Sequence, residues 1–98
     1  MIADLHIDRQ QLDDLCRRYG IARLEIFGSL ARGEGASDSD VDLLYELAPG
    51  RALGWESADL QDELSELFRR PVDLVSKRAH HRDLKPVVLA EARELYAA

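Results

Sequence analysis

Hydrophobic positions near the amino terminus recur with the spacing of a helix. They form a single stripe consisting of Leu12, Leu15, Cys16 and Tyr19. Asp8 and Gln11 stand at the two positions of a capping box, and Gly20 follows as a residue suited to a left-handed stop. The pattern therefore predicts a helix over residues 9–19.

Three later segments have the alternating or apolar composition of β-strands. They are residues 21–27, 41–47 and 72–76. The first two are joined through Gly28-Ser29, a turn too tight for a parallel crossover, so we expect these two strands to be antiparallel. A third strand that follows a helix then makes the predicted sheet mixed.

Helical periodicity returns twice in the second half of the chain. Between residues 57 and 68 the apolar stripe is Leu60, Leu64, Leu67 and Phe68, and an acidic stripe consists of Asp59, Asp62, Glu63 and Glu66. A last helix is predicted with Pro86 in its first turn and with its stripe at Leu84, Val88, Ala92 and Leu95. Together these elements predict an α+β fold, a small mixed β-sheet with helices packed on it.

Composition and charge exclude several classes of protein and of partner. The chain has 98 residues, 46% of them hydrophobic and 33% charged, as expected for one globular domain over residues 1–98. The net charge of −6 argues against a long nucleic acid as partner. The single cysteine, Cys16, excludes an internal disulfide, and no signal peptide or membrane-spanning run is present in the sequence, so we expect a cytoplasmic location.

The polar segment between the first two strands has no evident role in forming a core. Asp40 and Asp42 alternate with Val41 at the start of the second strand, so both carboxylates point to one face. Their Cα atoms are expected to lie roughly 6.5–7 Å apart. Such a pair suits a hard cation such as Mg²⁺, and the Gly28-Ser29 turn suits close approach of a phosphate.

A third acidic residue, Asp73, lies in the otherwise apolar third strand. A lone acid there is costly unless it is paired or binds a metal ion. Its alternative role is that of a charge on an edge strand that keeps the edge soluble. As a metal ligand it could also orient or deprotonate an attacking hydroxyl group.

The order of these residues resembles the signature of the DNA polymerase β-like nucleotidyltransferases, in which Gly28-Ser29 is followed after ten residues by Asp40-x-Asp42. The surrounding sequence is similar to the minimal nucleotidyltransferase (MNT) subfamily. The resemblance implies the polymerase β-like fold, two Mg²⁺ ions bound by three aspartates, and phosphate contacts in the loop. The implied metal-binding and catalytic residues are Asp40, Asp42 and Asp73, and the implied phosphate-binding residues are Gly28, Ser29 and Arg32.

The resemblance also implies a function. Proteins of this subfamily are commonly antitoxins that transfer AMP from ATP to a tyrosine hydroxyl of a cognate HEPN ribonuclease toxin. Two alternatives remain open: a non-catalytic antitoxin that neutralises its toxin by direct binding, and a nucleotidyltransferase acting on a small molecule such as an antibiotic. The sequence leaves open whether the chain forms homo- or hetero-oligomers.

Other candidate residues carry weaker signals. His80 and His81 are adjacent, so on a regular element they cannot face one ligand together. Lys77 is expected on the same strand face as Asp73, either as an exposed lysine or within reach of a nucleotide. Trp55, the one tryptophan, is expected either in the core or at an interface.

Overall fold

The computed structural model describes residues 7–28, 40–77 and 90–98. Residues 30–32, for which the sequence predicts no more than one helical turn, lie outside these ranges, as do His80 and His81. Two helices and four strands are present in the described part of the chain. In chain order they are α1 (Arg9–Tyr19), β1 (Ile21–Phe27), β2 (Val41–Leu47), α2 (Glu56–Phe68), β3 (Val72–Ser76) and β4 (Arg93–Ala97).

Helix α1 has the boundaries that its capping residues predict. The Asp8 side chain accepts a hydrogen bond from the backbone N–H of Gln11 at 3.1 Å. At the other end, Gly20 adopts a left-handed conformation with φ of 72° and closes the helix through its own N–H. The chain then turns directly into β1, so α1 and the sheet are joined without a loop.

The four strands form one mixed sheet in the order β3-β2-β1-β4. Strands β1 and β2 are antiparallel, as predicted, and β1 is also antiparallel to β4. Strands β2 and β3 are parallel, with α2 as their crossover. The small mixed sheet with packed helices is therefore confirmed.

The two faces of the sheet differ in what they carry. Both helices pack on one face, and the core there is formed by buried apolar side chains. Its central members are Leu12, Cys16, Leu24, Ile26, Val41, Leu43, Leu60, Leu64 and Val72. Because strand residues alternate in direction, the intervening residues Glu25, Asp42 and Asp73 project from the opposite face. All three acids are thus on the side of the sheet away from α1 and α2.

The prediction of a helix that extends through Leu95 is wrong at its carboxyl end. Residues 90–91 are helical, but β4 runs from Arg93 to Ala97 and pairs with β1. The register shifts so that Leu24 pairs with Tyr96 and Glu25 with Glu94, which leaves Leu95 without a partner of its own on β1. Leu95 and Tyr96 are both buried in the core as a result, and this burial outweighs local helix propensity. The other stripe residues of that predicted helix, except Ala92, lie outside the described ranges.

Helix α2 begins one residue earlier than predicted and ends where Arg69 takes a left-handed conformation, with φ of 57°. Leu60, Leu64 and Phe68 face the core, while Trp55, just before the helix, is 97% exposed and so is not a core residue. In the part of the chain that the structure describes, no helix combines the length and apolar character needed to cross a bilayer.

Cys16 is expected to be chemically inert in the folded protein. Its side chain is fully buried on α1, and this burial, together with the nearby charge of Asp13, raises the pKa of the thiol to about 12. A disulfide reagent should therefore fail to modify native protein at mildly alkaline pH and should modify one thiol per chain in guanidinium. Rapid modification under native conditions would show that α1 opens readily.

Candidate active site

Pairing of β2 with β3 brings two of the predicted metal ligands side by side. Asp42 and Asp73 are register partners on neighbouring parallel strands, so their side chains project from the same face. The backbone N–H of Val41 donates to the Pro71 carbonyl at 2.8 Å and fixes the starts of the two strands against each other. Asp40 immediately precedes β2, two positions before Asp42. The three aspartates therefore lie at one end of the sheet.

The Asp42 carboxyl group is affected both by burial and by the charges of the other two aspartates. Asp42 is partly buried, whereas Asp40 and Asp73 are exposed. Burial, followed by the negative charges of Asp73 and Asp40, raises the pKa of the Asp42 carboxyl above its ordinary value. A cation placed among these three groups would relieve their repulsion.

Gly28 lies directly against this group of carboxylates. It follows β1 with φ of 78°, a conformation that residues with a Cβ rarely adopt. A Cβ at this position would stand 2.5 Å from Oδ2 of Asp42, so a larger residue would displace that carboxylate. The predicted phosphate-binding turn thus begins beside the predicted metal ligands. Ser29 and Arg32 lie outside the described residues.

The chemistry of the donors fits Mg²⁺. Within residues 7–28, 40–77 and 90–98, no three acidic, histidine or cysteine side chains are already close enough to hold a metal ion. Mg²⁺ in proteins commonly binds one or two carboxylates and completes its coordination with water and substrate phosphates. Carboxylates on adjacent strands next to a glycine turn provide that incomplete set of ligands.

One ionic contact on the same face was not anticipated from the sequence. Glu25 is 7% exposed, and its Oε1 accepts a hydrogen bond from Nζ of Lys77 at 3.0 Å. Nε of Arg23 lies 3.8 Å from the same oxygen. Lys77 is therefore ion-paired across β2, and the contact ties the end of β3 to β1. The sequence signal for this ion pair is an acid in the middle of the apolar segment 21–27, because such a residue needs a partner when it is buried.

The raised pKa of Asp42 predicts a specific dependence of stability on pH. A carboxyl group with a higher pKa in the folded than in the unfolded chain binds its proton more tightly when folded. Its contribution to the free energy of unfolding is therefore favourable in acid and is lost as the pH rises through the raised pKa. Urea denaturation in a metal chelator, at several pH values, should show wild type losing stability relative to Asp42→Asn as the pH rises. A stability difference between the two proteins that stays constant with pH, or a gain of wild type over Asp42→Asn as the pH rises, would contradict this electrostatic arrangement.

Comparison with known proteins identifies the class to which this fold and site belong. Residues 8–96 match the nucleotidyltransferase domain family. The chain belongs to this family and is a nucleotidyltransferase, more narrowly a minimal nucleotidyltransferase. Its assignment to that subfamily is supported by sequence relatives and by solved structures.

Two relatives illustrate the similarity in sequence. A Methanocaldococcus jannaschii protein named "putative protein adenylyltransferase" is 33% identical over 84 residues, covering 86% of this chain and 89% of the relative. The protein adenylyltransferase MntA of Thermococcus cleftensis is 35% identical over 78 residues, covering 80% of this chain and 78% of the relative. Both similarities extend over most of each protein.

Solved structures share the architecture. A structure described as a "putative minimal nucleotidyltransferase" is 42% identical, with a TM-score of 0.68, and the match covers 89% of this chain and 88% of that one. A complex of a tri-AMPylated Shewanella oneidensis HEPN toxin with an MNT antitoxin matches with 20% identity and a TM-score of 0.56, over 92% of this chain and 70% of that one. The second likeness concerns the fold alone.

Proposed function

We propose that this chain is an antitoxin that transfers AMP from ATP to a tyrosine hydroxyl of a cognate HEPN-type toxin and thereby inactivates it. The observation that carries the proposal is the pairing of Asp42 with Asp73 beside the Gly28 turn. The names of the two relatives support transfer of an adenylyl group to a protein. The solved complex with an AMPylated toxin supports the choice of partner.

In the proposed reaction, residues 1–98 act as a single catalytic domain in the cytoplasm and the partner supplies the acceptor. Asp40, Asp42 and Asp73 would hold Mg²⁺, which when bound neutralises charge on the triphosphate. Gly28, Ser29 and Arg32 are assigned to the phosphates.

The chemical step is a displacement at the α-phosphorus of ATP. The tyrosine oxygen forms a bond to this phosphorus, and the bond from the phosphorus to the oxygen of the leaving pyrophosphate breaks. The hydroxyl proton passes to a carboxylate, a role we assign to Asp73 because it is exposed and adjacent to Asp42. Holding the acceptor in line with the leaving group supplies much of the rate enhancement.

A transfer assay tests this function directly. The purified chain is incubated with α-labelled ATP, Mg²⁺ and the product of the adjacent gene as the candidate partner, and the partner is then analysed for covalent label and added mass. We expect label on the partner, lost on replacement of its acceptor tyrosine by phenylalanine. A tight complex that never acquires label would overturn the proposal and favour neutralisation by binding alone.

A further inference from the structure

Trp55 stands apart from every other large apolar side chain in the described part of the chain, because it is 97% exposed. It immediately precedes α2, and no side-chain hydrogen bond caps the helix at this position. Covering an indole removes a large apolar area from water, and tryptophan is enriched among residues that dominate binding interfaces. The exposed Trp55 side chain therefore contributes no packing to the hydrophobic core.

Three exposed acids continue from Trp55 along the outward side of α2. Asp59, Asp62 and Glu66 follow Trp55 at spacings of four, three and four residues, which places all four on one line of the helix. The opposite line carries the buried residues Leu60, Leu64 and Phe68. At 1.5 Å per residue the outward line is about 16 Å long. We call these four residues the α2 outer face.

The charged residues of α2 are all acidic. Its thirteen residues include five acids and no lysine or arginine. Of the five, Glu63 binds Arg18 at 3.0 Å, whereas Asp59, Asp62 and Glu66 have no ion pair within the part of the chain that the structure describes. Like charges three and four residues apart destabilise a helix, so this surface is not optimised for the isolated chain.

A groove of about 380 Å³ between α1 and α2 adjoins the α2 outer face. Leu15 and Leu67 provide its apolar lining, and Gln11, Arg18 and three acids provide its polar lining. Of these acids, Asp14 is ion-paired with Arg17 and Glu63 with Arg18, which leaves Glu66 to pair with a partner. Long basic side chains pack an aliphatic stem on apolar surface while their charged ends pair with acids. Glu66 belongs to both the groove and the α2 outer face, so the two form one continuous surface.

We propose that the α2 outer face and this groove bind a basic surface of the same toxin that receives AMP, with Trp55 inserted into an apolar pocket of that partner. This inference rests on the proposed function. A second copy of this chain, with net charge −6, would bring like charge to the acidic face, and nucleic acids or anionic membranes would be repelled. A basic protein surface is the occupant that matches both the charge and the indole.

The position of this surface has a consequence for the complex. Helix α2 covers the sheet face opposite to Asp42 and Asp73, so a partner held there leaves the carboxylates accessible to nucleotide. Binding should therefore be independent of ATP and Mg²⁺ and unaffected by Asp42→Asn.

Fluorine NMR provides the test, since the single tryptophan labelled with 5-fluorotryptophan gives one resonance. The labelled Asp42→Asn protein is titrated without nucleotide against the product of the adjacent gene, and complex formation is followed in parallel by sedimentation. We expect the Trp55 resonance to shift on binding. A complex that leaves this resonance unchanged, absence of any complex, or a shift caused by raising the concentration of the labelled chain alone would overturn the proposal.

Matched charge variants separate a local surface from net charge. We expect the Kd for the partner to rise about tenfold or more in two variants, Asp59→Asn/Asp62→Asn and Trp55→Ala. The control, Glu46→Gln/Glu94→Gln, makes an equal change of net charge at exposed sites elsewhere and should leave the Kd unchanged. In the otherwise wild-type protein, Trp55→Ala should raise KM for the partner and leave kcat unchanged. The proposal would be contradicted if both double variants weakened binding of the partner equally, or if neither of them weakened it. Loss of labelling with normal binding would instead count against the proposed function.

Discussion

Replacement of Asp42 by asparagine is expected to reduce AMP transfer by at least about a thousandfold, equivalent to several kcal/mol of transition-state stabilisation. Asp42 is the partly buried member of the three aspartates, and burial followed by the charges of the other two raises the pKa of its carboxyl group. The amide retains the shape of the side chain but removes the charge that would bind a cation. Transfer is measured with labelled ATP and saturating partner.

The same substitution should leave the fold intact. In a metal chelator, Asp42→Asn should match or exceed wild type in thermal stability, because a repelled charge has been removed. Mg-ATP should raise the Tm of wild type and not that of the variant. Glu46→Gln, an exposed acid further along β2, is the control and should behave as wild type in both measurements. Near-normal transfer by Asp42→Asn would refute the assignment of this carboxylate.

Replacement of Gly28 by alanine is expected to impair both stability and transfer. The left-handed backbone at φ of 78° should cost about 1–2 kcal/mol when a Cβ is present. The new Cβ would also stand 2.5 Å from Oδ2 of Asp42, so this carboxylate must move away from its position beside Asp73. Urea denaturation measures the first effect, and the labelled-ATP assay measures the second.

Gly50 offers a matched control for this prediction. It has a similar φ of 81°, but a Cβ there would meet nothing within 4 Å. Gly50→Ala should therefore lose a similar amount of stability and retain full transfer. If Gly28→Ala also retains full transfer, then the close approach of this glycine to Asp42 has no functional importance.

Short-range signals account for the part of the fold that the sequence predicts well. The caps at Asp8 and Gly20 define α1, and the tight turn after Phe27 implies an antiparallel β1–β2 pair. The alternation of Asp40 and Asp42 with Val41 is likewise a short-range signal, from which we predict that the two acids share a face. Each of these conclusions depends on residues a few positions apart.

Long-range pairing accounts for what the sequence did not predict. The segment around Glu94 and Leu95 consists largely of helix-forming residues, yet it becomes β4 because the free edge of β1 lies beside it. The ion pair between Lys77 and Glu25 joins strands that are separated by β2, so no local sequence pattern predicts this pair. Whether Asp73 lies beside Asp42 also depended on the register of β3, which only the folded sheet determines.

The position of β4 after the other three strands of the sheet affects how the protein emerges from the ribosome. Synthesis proceeds from the amino terminus, so the β1–β2 hairpin with Asp40 and Asp42 is complete before Asp73, 31 positions after Asp42, has been added. Strand β4 is added last and covers the remaining edge of β1. A stalled product ending before residue 93 would leave that edge unpaired and open to aggregation. The newly made chain thus completes this sheet only after residue 97 has been added.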